Sequence, residues 1–403
     1  MKPIVFTKLS VMMLLEYFVW GAWYVTLGKY MKTVLHTDDV DVGKTFGALA
    51  IATMISPFFV GMVADRYFAA QRIMGVLHLL GAAVLFFAIQ VTDKDVFYYV
   101  ILFYSLLYTP TIALSNSIVF HQITDPGRQF PWIRVFGTVG WILSGLLIGY
   151  LALEESAITM PATFQIAAAA SALLGVISFI MPHTPPKGKA AKSSAFSALG
   201  GEALVLFKDK AYLVFFIAAI LVCIPLSFYY GFANIFLDEV GMKKAAGEMT
   251  WGQVSEAIFI LAIPFLFYSI GVKRMLLLGM AAWILRYLLF AYGNVDANLW
   301  MLYAGIVLHG ICYDFFFVTG YMYTEKKAGE KIKSAAQGLF TFATYGLGMF
   351  IGTWFSGLTT DYYSVGKVHD WKSIWFVPAY IAVAVVLYFI LFFKEKSEIK
   401  QSS

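Results

Sequence analysis

Long apolar stretches separated by short polar segments make up most of the chain. Each stretch is close to the ~20 residues that a membrane-spanning helix needs, and none shows the strict alternation of a half-buried strand. Because only helices and closed barrels satisfy their backbone hydrogen bonds in lipid, the pattern predicts an all-α membrane protein with twelve transmembrane helices. The stretches cover residues 8–33, 44–64, 72–91, 96–120, 131–152, 161–182, 211–237, 250–270, 273–292, 298–323, 335–358 and 372–393.

The composition favours lipid as the main surroundings of the chain. Of the 403 residues, 60% are hydrophobic and only 13% are charged, whereas a soluble domain carries roughly 25% charged residues. Both cysteines, Cys223 and Cys312, lie in apolar stretches without a C-x-x-C partner, so neither a metal site nor a disulfide is predicted. The first stretch is too long for a cleavable signal peptide and is predicted to remain as the first helix.

Lysine and arginine residues predict the orientation in the membrane. Nineteen of them lie at the two ends and in the even-numbered connections, against seven in the odd-numbered connections. Since basic residues concentrate on the cytoplasmic side, both termini are predicted to be cytoplasmic. The net charge of +5 reflects this distribution and does not indicate a nucleic-acid partner.

One long connection divides the predicted helices into two groups of six. Residues 183–210 are rich in Pro, Lys, Ser and Gly, as in an inter-domain linker. They separate an N-terminal six-helix bundle, 1–182, from a C-terminal six-helix bundle with a short cytoplasmic tail, 211–403. Two such halves are the layout of the major facilitator fold.

A short motif between the second and third stretches agrees with that fold. The segment GMVADRYFAAQR contains Gly61, Asp65 and Arg66, and it resembles the G-x-x-x-D-R loop of major facilitator transporters. The resemblance implies that these residues brace a gate on the cytoplasmic side. An ordinary basic loop on the inner side is the alternative.

Charged residues inside the predicted spans are the main functional signal. A charge at the bilayer centre costs roughly 2.5–3.5 kcal/mol on insertion scales, so such residues face the bundle interior and usually have a function. Lys29 lies near enough to the end of its span for the amine to reach the interface, and a structural role explains Arg286 better. The four others, which the fold can direct toward one central site, are Glu16, Arg134, Glu256 and Asp314.

These four residues differ in what they can do chemically. Arg134 keeps its charge, whereas carboxyl groups can gain and lose a proton. Asp314, in the apolar run CYDFFF, is predicted to be the main proton site, with a buried structural ion pair as the alternative. Glu256 is predicted to bind substrate and to take part in proton coupling. Glu16 either takes part in proton coupling or anchors helix packing.

Aromatic and amide side chains accompany these charges. Thr138 follows Arg134 by four residues and Gln253 precedes Glu256 by three, so each pair shares a helix face. Aromatic faces stack on bases or sugars and amides read donor and acceptor edges, so the pattern predicts a site for a flat, hydrogen-bonding solute. Other polar and aromatic residues on these spans are Trp20, Trp23, Asn116, Trp141, Tyr229, Tyr230, Asn234, His309 and Tyr313.

Long local motifs surround these residues. They are WGAWYVTLG in the first span, FPWIRVFGTVGW in the fifth, GQVSEAIFILAIPF in the eighth, AAWILRYLLFAYG in the ninth and LHGICYDFFFVTGYMY in the tenth. With them the chain resembles, almost from end to end, the nucleoside:proton symporter family of the major facilitator superfamily. The resemblance implies a multi-pass, monomeric carrier of the bacterial cytoplasmic (inner) membrane that imports nucleosides with protons and needs no other cofactor.

The resemblance also implies roles for particular residues. Family binding positions carry over to Arg134, Thr138, Gln253 and Glu256, and a proton-coupling position carries over to Asp314. Further positions assigned to the substrate site are Trp141, Ser227, Tyr230, His309 and Tyr313. Uridine-transporting members have Gln and Asn where this chain has Ser227 and Tyr230, so the preference for purine or pyrimidine nucleosides is not implied.

Two other classes of function fit the same pattern. A proton symporter for another small polar solute, such as a sugar or an aromatic acid, would use the altered seventh span. A non-transporting membrane receptor would keep the fold but would not need a titratable Asp314. A membrane enzyme is not predicted, because the sequence shows no metal-ligand cluster, Ser/His/Asp arrangement or phosphate-cradling loop.

Overall fold

Helices account for nearly all of the computed structural model, which describes residues 2–59, 67–186, 201–366 and 368–394. A hairpin of two-residue strands, β1 (Ser364–Val365) and β2 (Val368–His369), precedes the last helix. Four short turns complete the elements: 3₁₀ turns at Leu153–Glu155 and Gly201–Lys208, and π turns at Asp314–Val318 and Phe342–Gly348. The helices are α1 (Pro3–Tyr24), α2 (Leu27–Thr33), α3 (Asp39–Phe59), α4 (Ala70–Ala88), α5 (Lys94–Gln122), α6 (Pro126–Tyr150), α7 (Pro161–Ser178), α8 (Lys210–Glu239), α9 (Ala245–Ile270), α10 (Val272–Tyr292), α11 (Leu299–Val307), α12 (His309–Tyr313), α13 (Thr319–Thr341), α14 (Met349–Tyr362) and α15 (Trp371–Phe392).

The apolar segments of the sequence correspond to these helices. Within the described ranges, nine helical stretches are long and apolar enough to cross a membrane. The described parts of the three other predicted spans are also helical, as α3, as α9, and as the end of α13 with the following π turn and α14. The prediction of a helical, multi-pass membrane protein is therefore confirmed, whereas the count of twelve spans and the side of the termini stay predictions.

Helices of the first half of the sequence, residues 2–186, pack against helices of the second half, residues 201–394, and two of these contacts are extensive. α3 packs against α14, and α6 packs against α9. Glycines allow the close approach, since a Cβ added to Gly43 would lie 2.4 Å from the Thr353 carbonyl, and one added to Gly149 would lie 3.0 Å from the Gly247 Cα. Small residues at helix crossings are typical of membrane bundles.

Several sequence predictions change in detail. The tenth span, predicted as one helix, is divided into α11, α12, a π turn and the first part of α13. Near the end of the predicted linker, Gly201–Lys208 forms a 3₁₀ helix and Asp209 caps α8 by accepting from the amide of Ala211. The predicted gate-loop residues Gly61, Asp65 and Arg66 lie outside the described residues.

Candidate functional site

Arg134 projects from α6 toward α1. Its guanidinium carbon lies 4.1 Å from the centroid of the Tyr17 ring, within the range of a cation–π contact. Gly137 makes room for it, because a Cβ added there would lie 2.6 Å from an Arg134 Nη1 atom. Thr138, one turn further along α6, is half-buried. Arg134 is therefore held by an aromatic face, and within the described ranges its donors make no hydrogen bond.

Glu256 lies on α9, in the other half. Its Oε2 atom is 3.7 Å from Nε2 of His309, and 19% of its side chain is exposed. The helices are close here, because a Cβ added to Gly310 would lie 2.6 Å from the backbone of Ser255. Glu256 and Arg134 lie on helices that pack against each other, α9 and α6. Gln253, almost one turn before Glu256, is buried.

Aromatic rings surround this pair of charges. In the first half, the rings of Trp20 and Trp141 are 5.2 Å apart at 71°. Tyr24 meets Tyr230 of the second half at 5.7 Å. On the far side the ring of His309 is stacked between two tyrosines, and the second of these, Tyr313, shares a short hydrogen bond with the Tyr345 hydroxyl. We call the side chains of Tyr17, Arg134, Glu256, His309 and Tyr313 the central site.

Asp314 begins the π turn directly after the last residue of the central site. Its side chain is fully buried, and both carboxyl oxygens lack a hydrogen-bond partner among the described residues. π turns often mark functional positions in helices. A buried carboxyl without a protein partner is the arrangement expected of a group that exchanges a proton rather than one that holds an ion pair.

Glu16 lies in a separate cluster within the first half. It accepts hydrogen bonds from the Thr111 hydroxyl (2.6 Å) and contacts His78 Nε2 at 2.9 Å, while the Tyr108 hydroxyl donates to its backbone carbonyl. The Nδ1 atom of His78 in turn lies 3.0 Å from the Ser171 hydroxyl. Glu16 therefore does not converge with the other three charges, and the packing alternative fits its surroundings.

Ser227 also points away from the central site. Its hydroxyl donates to the Cys223 carbonyl at 2.8 Å and is 3.5 Å from the Met349 sulfur. A Cβ added to Gly352 would lie 2.3 Å from this hydroxyl, so the side chain fills the contact between α8 and α14. Tyr230, three residues later, faces the gap between the halves.

Charged side chains of both halves pair where α3 begins and α14 ends. Lys29 Nζ lies 2.5 Å from Asp238 Oδ1. His369 places Nε2 3.1 Å from Asp39 Oδ2 and Nδ1 2.8 Å from Glu239 Oε2. We call these five residues the ionic end. The prediction that Lys29 reaches the lipid interface is wrong, because its side chain is 6% exposed and bridges the halves.

His369 is the centre of the ionic end. Burial alone would lower the pKa of His369, but the hydrogen bonds and charges of Asp39 and Glu239 outweigh it and raise the pKa to about 9.

Nearby, Glu154 of the first half accepts from Asn234 Nδ2 at 2.9 Å and from the Ala246 amide at 2.7 Å. The distribution of basic residues predicts that this end faces outward.

Sequence reasoning missed several residues that the structure brings into these clusters. His78 stands in an apolar span, so the rule that singled out six charges could have found it too. Tyr17 and Tyr345 carry no such signal, because aromatic residues are common throughout the chain. Asp39, Glu239 and His369 lie in three different connections, and only the fold brings them together.

Comparisons with known proteins place the chain in a family and find a solved structure with a similar fold. A family model described as Nucleoside H+ symporter matches residues 4–398. The chain is 42% identical to YegT of Escherichia coli (strain K12), over 96% of this chain and 93% of that one. It is 37% identical to the xanthosine permease of the same organism, over 96% and 95%. The crystal structure of the nucleoside transporter NupG is 32% identical and covers 97% of this chain and 100% of its own, with a TM-score of 0.87.

Proposed function

Because the chain belongs to the nucleoside H+ symporter family, we propose that it imports nucleosides across a bacterial cytoplasmic membrane together with protons, by alternating access. Its family and relatives are transporters rather than enzymes, and the nucleoside permeases among them support the substrate class. The central site is where we place nucleoside binding, and Asp314 is where we place the coupled proton.

The observation that carries the proposal is the unused hydrogen-bonding capacity, within the described ranges, of polar side chains at and beside the central site. Arg134 and Glu256 lie on α6 and α9, two helices of different halves that pack together, and among the ion pairs of the described ranges none includes Arg134. The side chains of Thr138 and Gln253 likewise make no hydrogen bond within those ranges. Buried polar groups are normally hydrogen-bonded, so unused donors and acceptors lined by aromatic rings favour a polar, flat ligand.

A nucleoside matches these groups in shape and in chemistry. Its base is a flat ring that can stack on the aromatic walls, and its ribose hydroxyls and base edges offer donors and acceptors. Arg134 and Thr138 would bind it from the first half, and Gln253 and Glu256 from the second. A ligand bonded to both halves stabilises a conformation in which the halves are close, so binding and the rocking motion of the halves are linked.

Asp314 supplies the proton step. A carboxylate without partners is costly in apolar surroundings, so the residue carries its proton while the site is closed. When the site opens toward the cytoplasm and water reaches it, the carboxylate is solvated and the proton can leave. Once the nucleoside has also left, Arg134 and Glu256 are free to pair with each other, which favours closure of the empty carrier.

Uptake into proteoliposomes tests this proposal. With an imposed inward proton gradient, the wild-type protein is expected to accumulate nucleosides, and a protonophore is expected to abolish accumulation. Asp314→Asn should remove gradient-driven accumulation while it retains nucleoside exchange, because the amide cannot release a proton. Asp296→Asn, a change of the same chemistry at an exposed loop position, is the matched control and should behave as wild type.

Free bases, sugars and aromatic acids are tested in parallel for binding, because a ligand that binds only the folded protein raises its melting temperature. If a sugar or an aromatic acid is accumulated and nucleosides are not, the substrate assignment is overturned. If Asp314→Asn still concentrates nucleoside against its gradient, the proton site lies elsewhere.

A further inference from the structure

Arg286, on α10, is fully buried, and the transport cycle described above does not use it. Its Nε atom donates to the carbonyl of Gly305 at 2.8 Å, and Nη2 donates to the carbonyl of Ile306 at 3.3 Å. Among the ion pairs of the described part of the chain, none includes Arg286. Burying a cation without a carboxylate partner costs free energy, so the contacts that hold the Arg286 guanidinium group in the interior need an explanation.

The Gly305 carbonyl lies at the interruption between α11 and α12. Leu308 stands between the two helices, with its amide donating to Ala304 at 3.0 Å and its carbonyl accepting from Cys312 at 2.9 Å. In an unbroken helix the carbonyl of Gly305 would accept from the amide four residues later. A carbonyl oxygen has two lone pairs, and here one of them accepts from Arg286, so the guanidinium group ties α10 to the backbone directly before α12.

The same guanidinium group lies on an aromatic stack that leads to the central site. Its carbon is 4.0 Å from the centroid of the Tyr229 ring. Tyr229 stacks on His309 at 5.2 Å and 24°, and His309 stacks on Tyr313 at 5.6 Å and 25°. His309 is the residue that contacts Glu256. One side chain of α10 thus contacts both the backbone before α12 and the ring behind His309.

We propose that Arg286 is a positioning residue for the central site. By bonding to Gly305 and covering Tyr229, it holds the interruption in place and keeps His309 against Glu256. Arg286 itself does not touch the substrate, because Tyr229 lies between it and His309. The inference deepens the proposed function and rests on it for the role of the central site, but the geometry of α12 can be tested without any substrate.

The two native cysteines provide this substrate-free test. Cys312 belongs to α12 and Cys223 to α8, and both are fully buried. In Arg286→Gln, N-ethylmaleimide should modify Cys312 about tenfold faster than in wild type, because α12 opens locally, while Cys223 stays unchanged. Arg286→Lys should give an intermediate rate, since an ammonium group keeps the charge and can still donate to a carbonyl.

A matched control lies next to Arg286 on the same helix. Tyr287 is equally buried, and its hydroxyl donates to the carbonyl of Pro225 rather than to α11. Tyr287→Phe should leave the modification rate of Cys312 unchanged. If Arg286→Gln accelerates both cysteines equally, Arg286 only stabilises the bundle and the proposal fails. It also fails if neither rate changes.

Transport kinetics give the second readout. Arg286→Gln should raise the KM for nucleoside about tenfold with a smaller change in kcat, because a displaced His309 weakens binding. A purely structural role would lower the amount of active carrier and leave KM unchanged. In a His309→Ala background, Arg286→Gln should add little further effect. A wild-type protein that transports no nucleoside would overturn the proposed function, whereas the cysteine rates decide the role of Arg286 independently.

Discussion

The ionic end and the central site both contain charges from the two halves, but they use them differently. At the ionic end, Lys29 pairs with Asp238, and His369 pairs with Asp39 and Glu239. At the central site, Arg134 rests on an aromatic ring, and Asp314 beside it has no hydrogen-bond partner among the described residues. Paired charges stabilise one arrangement of the halves, while unpaired charges leave hydrogen-bonding capacity for a solute and a proton.

Two kinds of experiment follow from this difference. Changes at paired charges should alter stability or the balance between conformations. Changes at unpaired charges should alter affinity and coupling. Each substitution should therefore change one of these two kinds of property and leave the other unchanged. A paired charge that altered only affinity, or an unpaired charge that altered only stability, would contradict the distinction between the two sites.

The largest effect is expected at Glu16, the paired charge of the first half. Glu16→Ala leaves His78 and Thr111 without their partner, and breaking a buried pair in this way costs about 3–5 kcal/mol. The apparent melting temperature of the purified protein should fall clearly. Glu16→Gln keeps the shape and can accept one of the two hydrogen bonds, so it should be milder.

Proton coupling separates the two interpretations of Glu16. If Glu16 anchors packing, the protein that remains folded in Glu16→Gln should still accumulate nucleoside under a proton gradient. Normal stability with loss of accumulation would instead place Glu16 in proton coupling, as the sequence alternative had it. The residues that couple proton movement to transport would then include one in the first half.

Arg134→Ala should have the next largest effect, and it should appear in affinity. Hydrogen bonds to charged groups contribute about 1.5–3 kcal/mol, so the apparent affinity for nucleoside should fall roughly 10- to 150-fold. Arg134→Lys should lie between, because an ammonium group does not reproduce the planar fork of donors. Calorimetric titration of both variants measures this directly. Unchanged affinity would mean that Arg134 only braces α6 against Tyr17.

The ionic end should respond to pH through His369. The pKa of His369 is raised to about 9 in this conformation, against about 6.5 for a free histidine. Its contribution to the contact between the halves is therefore complete below about pH 6.5 and is lost as the pH rises through about 9. Alkaline conditions should shift the protein toward conformations in which the ionic end is open.

Spin labels measure this shift as a distance. Thr92→Cys and Tyr362→Cys place exposed labels on opposite halves near the ionic end, in a background of Cys223→Ser and Cys312→Ser. Long distances should increase roughly tenfold in population between pH 6 and 9.5, as expected for the loss of one charged hydrogen bond. His369→Gln should abolish the pH response, and His36→Gln, at the same end but outside the network, should retain it. A response that survives in His369→Gln would exclude the histidine as its cause.

The sequence predicted the positions of the helices far better than the contacts between residues on different helices. Lipid forces the backbone into helices, so apolar length alone located α4, α8, α10 and α15 to within a few residues. It could not show that Lys29 meets Asp238, because these residues are separated by more than half of the chain. It also could not show the interruption at Leu308, since an apolar run looks the same with or without a broken helix.

Three of the four charges predicted to share one site lie at or beside the central site, whereas Glu16 lies in a separate cluster and Ser227, predicted from a family position, faces α14. Arg134, Glu256 and Asp314 lie near one another because a charge in lipid has few acceptable locations. Ser227 carries no such constraint, since a hydroxyl can be satisfied by its own helix. How well the location of a side chain could be predicted from the sequence therefore depended on whether the side chain is charged.

Ser227 gives the smallest expected effect and the sharpest check on the boundary of the site. Its hydroxyl donates within α8 and faces α14, so Ser227→Ala should change the KM for nucleoside less than about twofold. Tyr230→Ala, one turn away, removes the ring that meets Tyr24 across the halves and should raise KM more, by roughly three- to tenfold for a lost aromatic contact. Uptake kinetics of both variants measure the two changes in KM. A larger effect from Ser227→Ala than from Tyr230→Ala would show that α8 rotates during transport and presents its other face to the substrate.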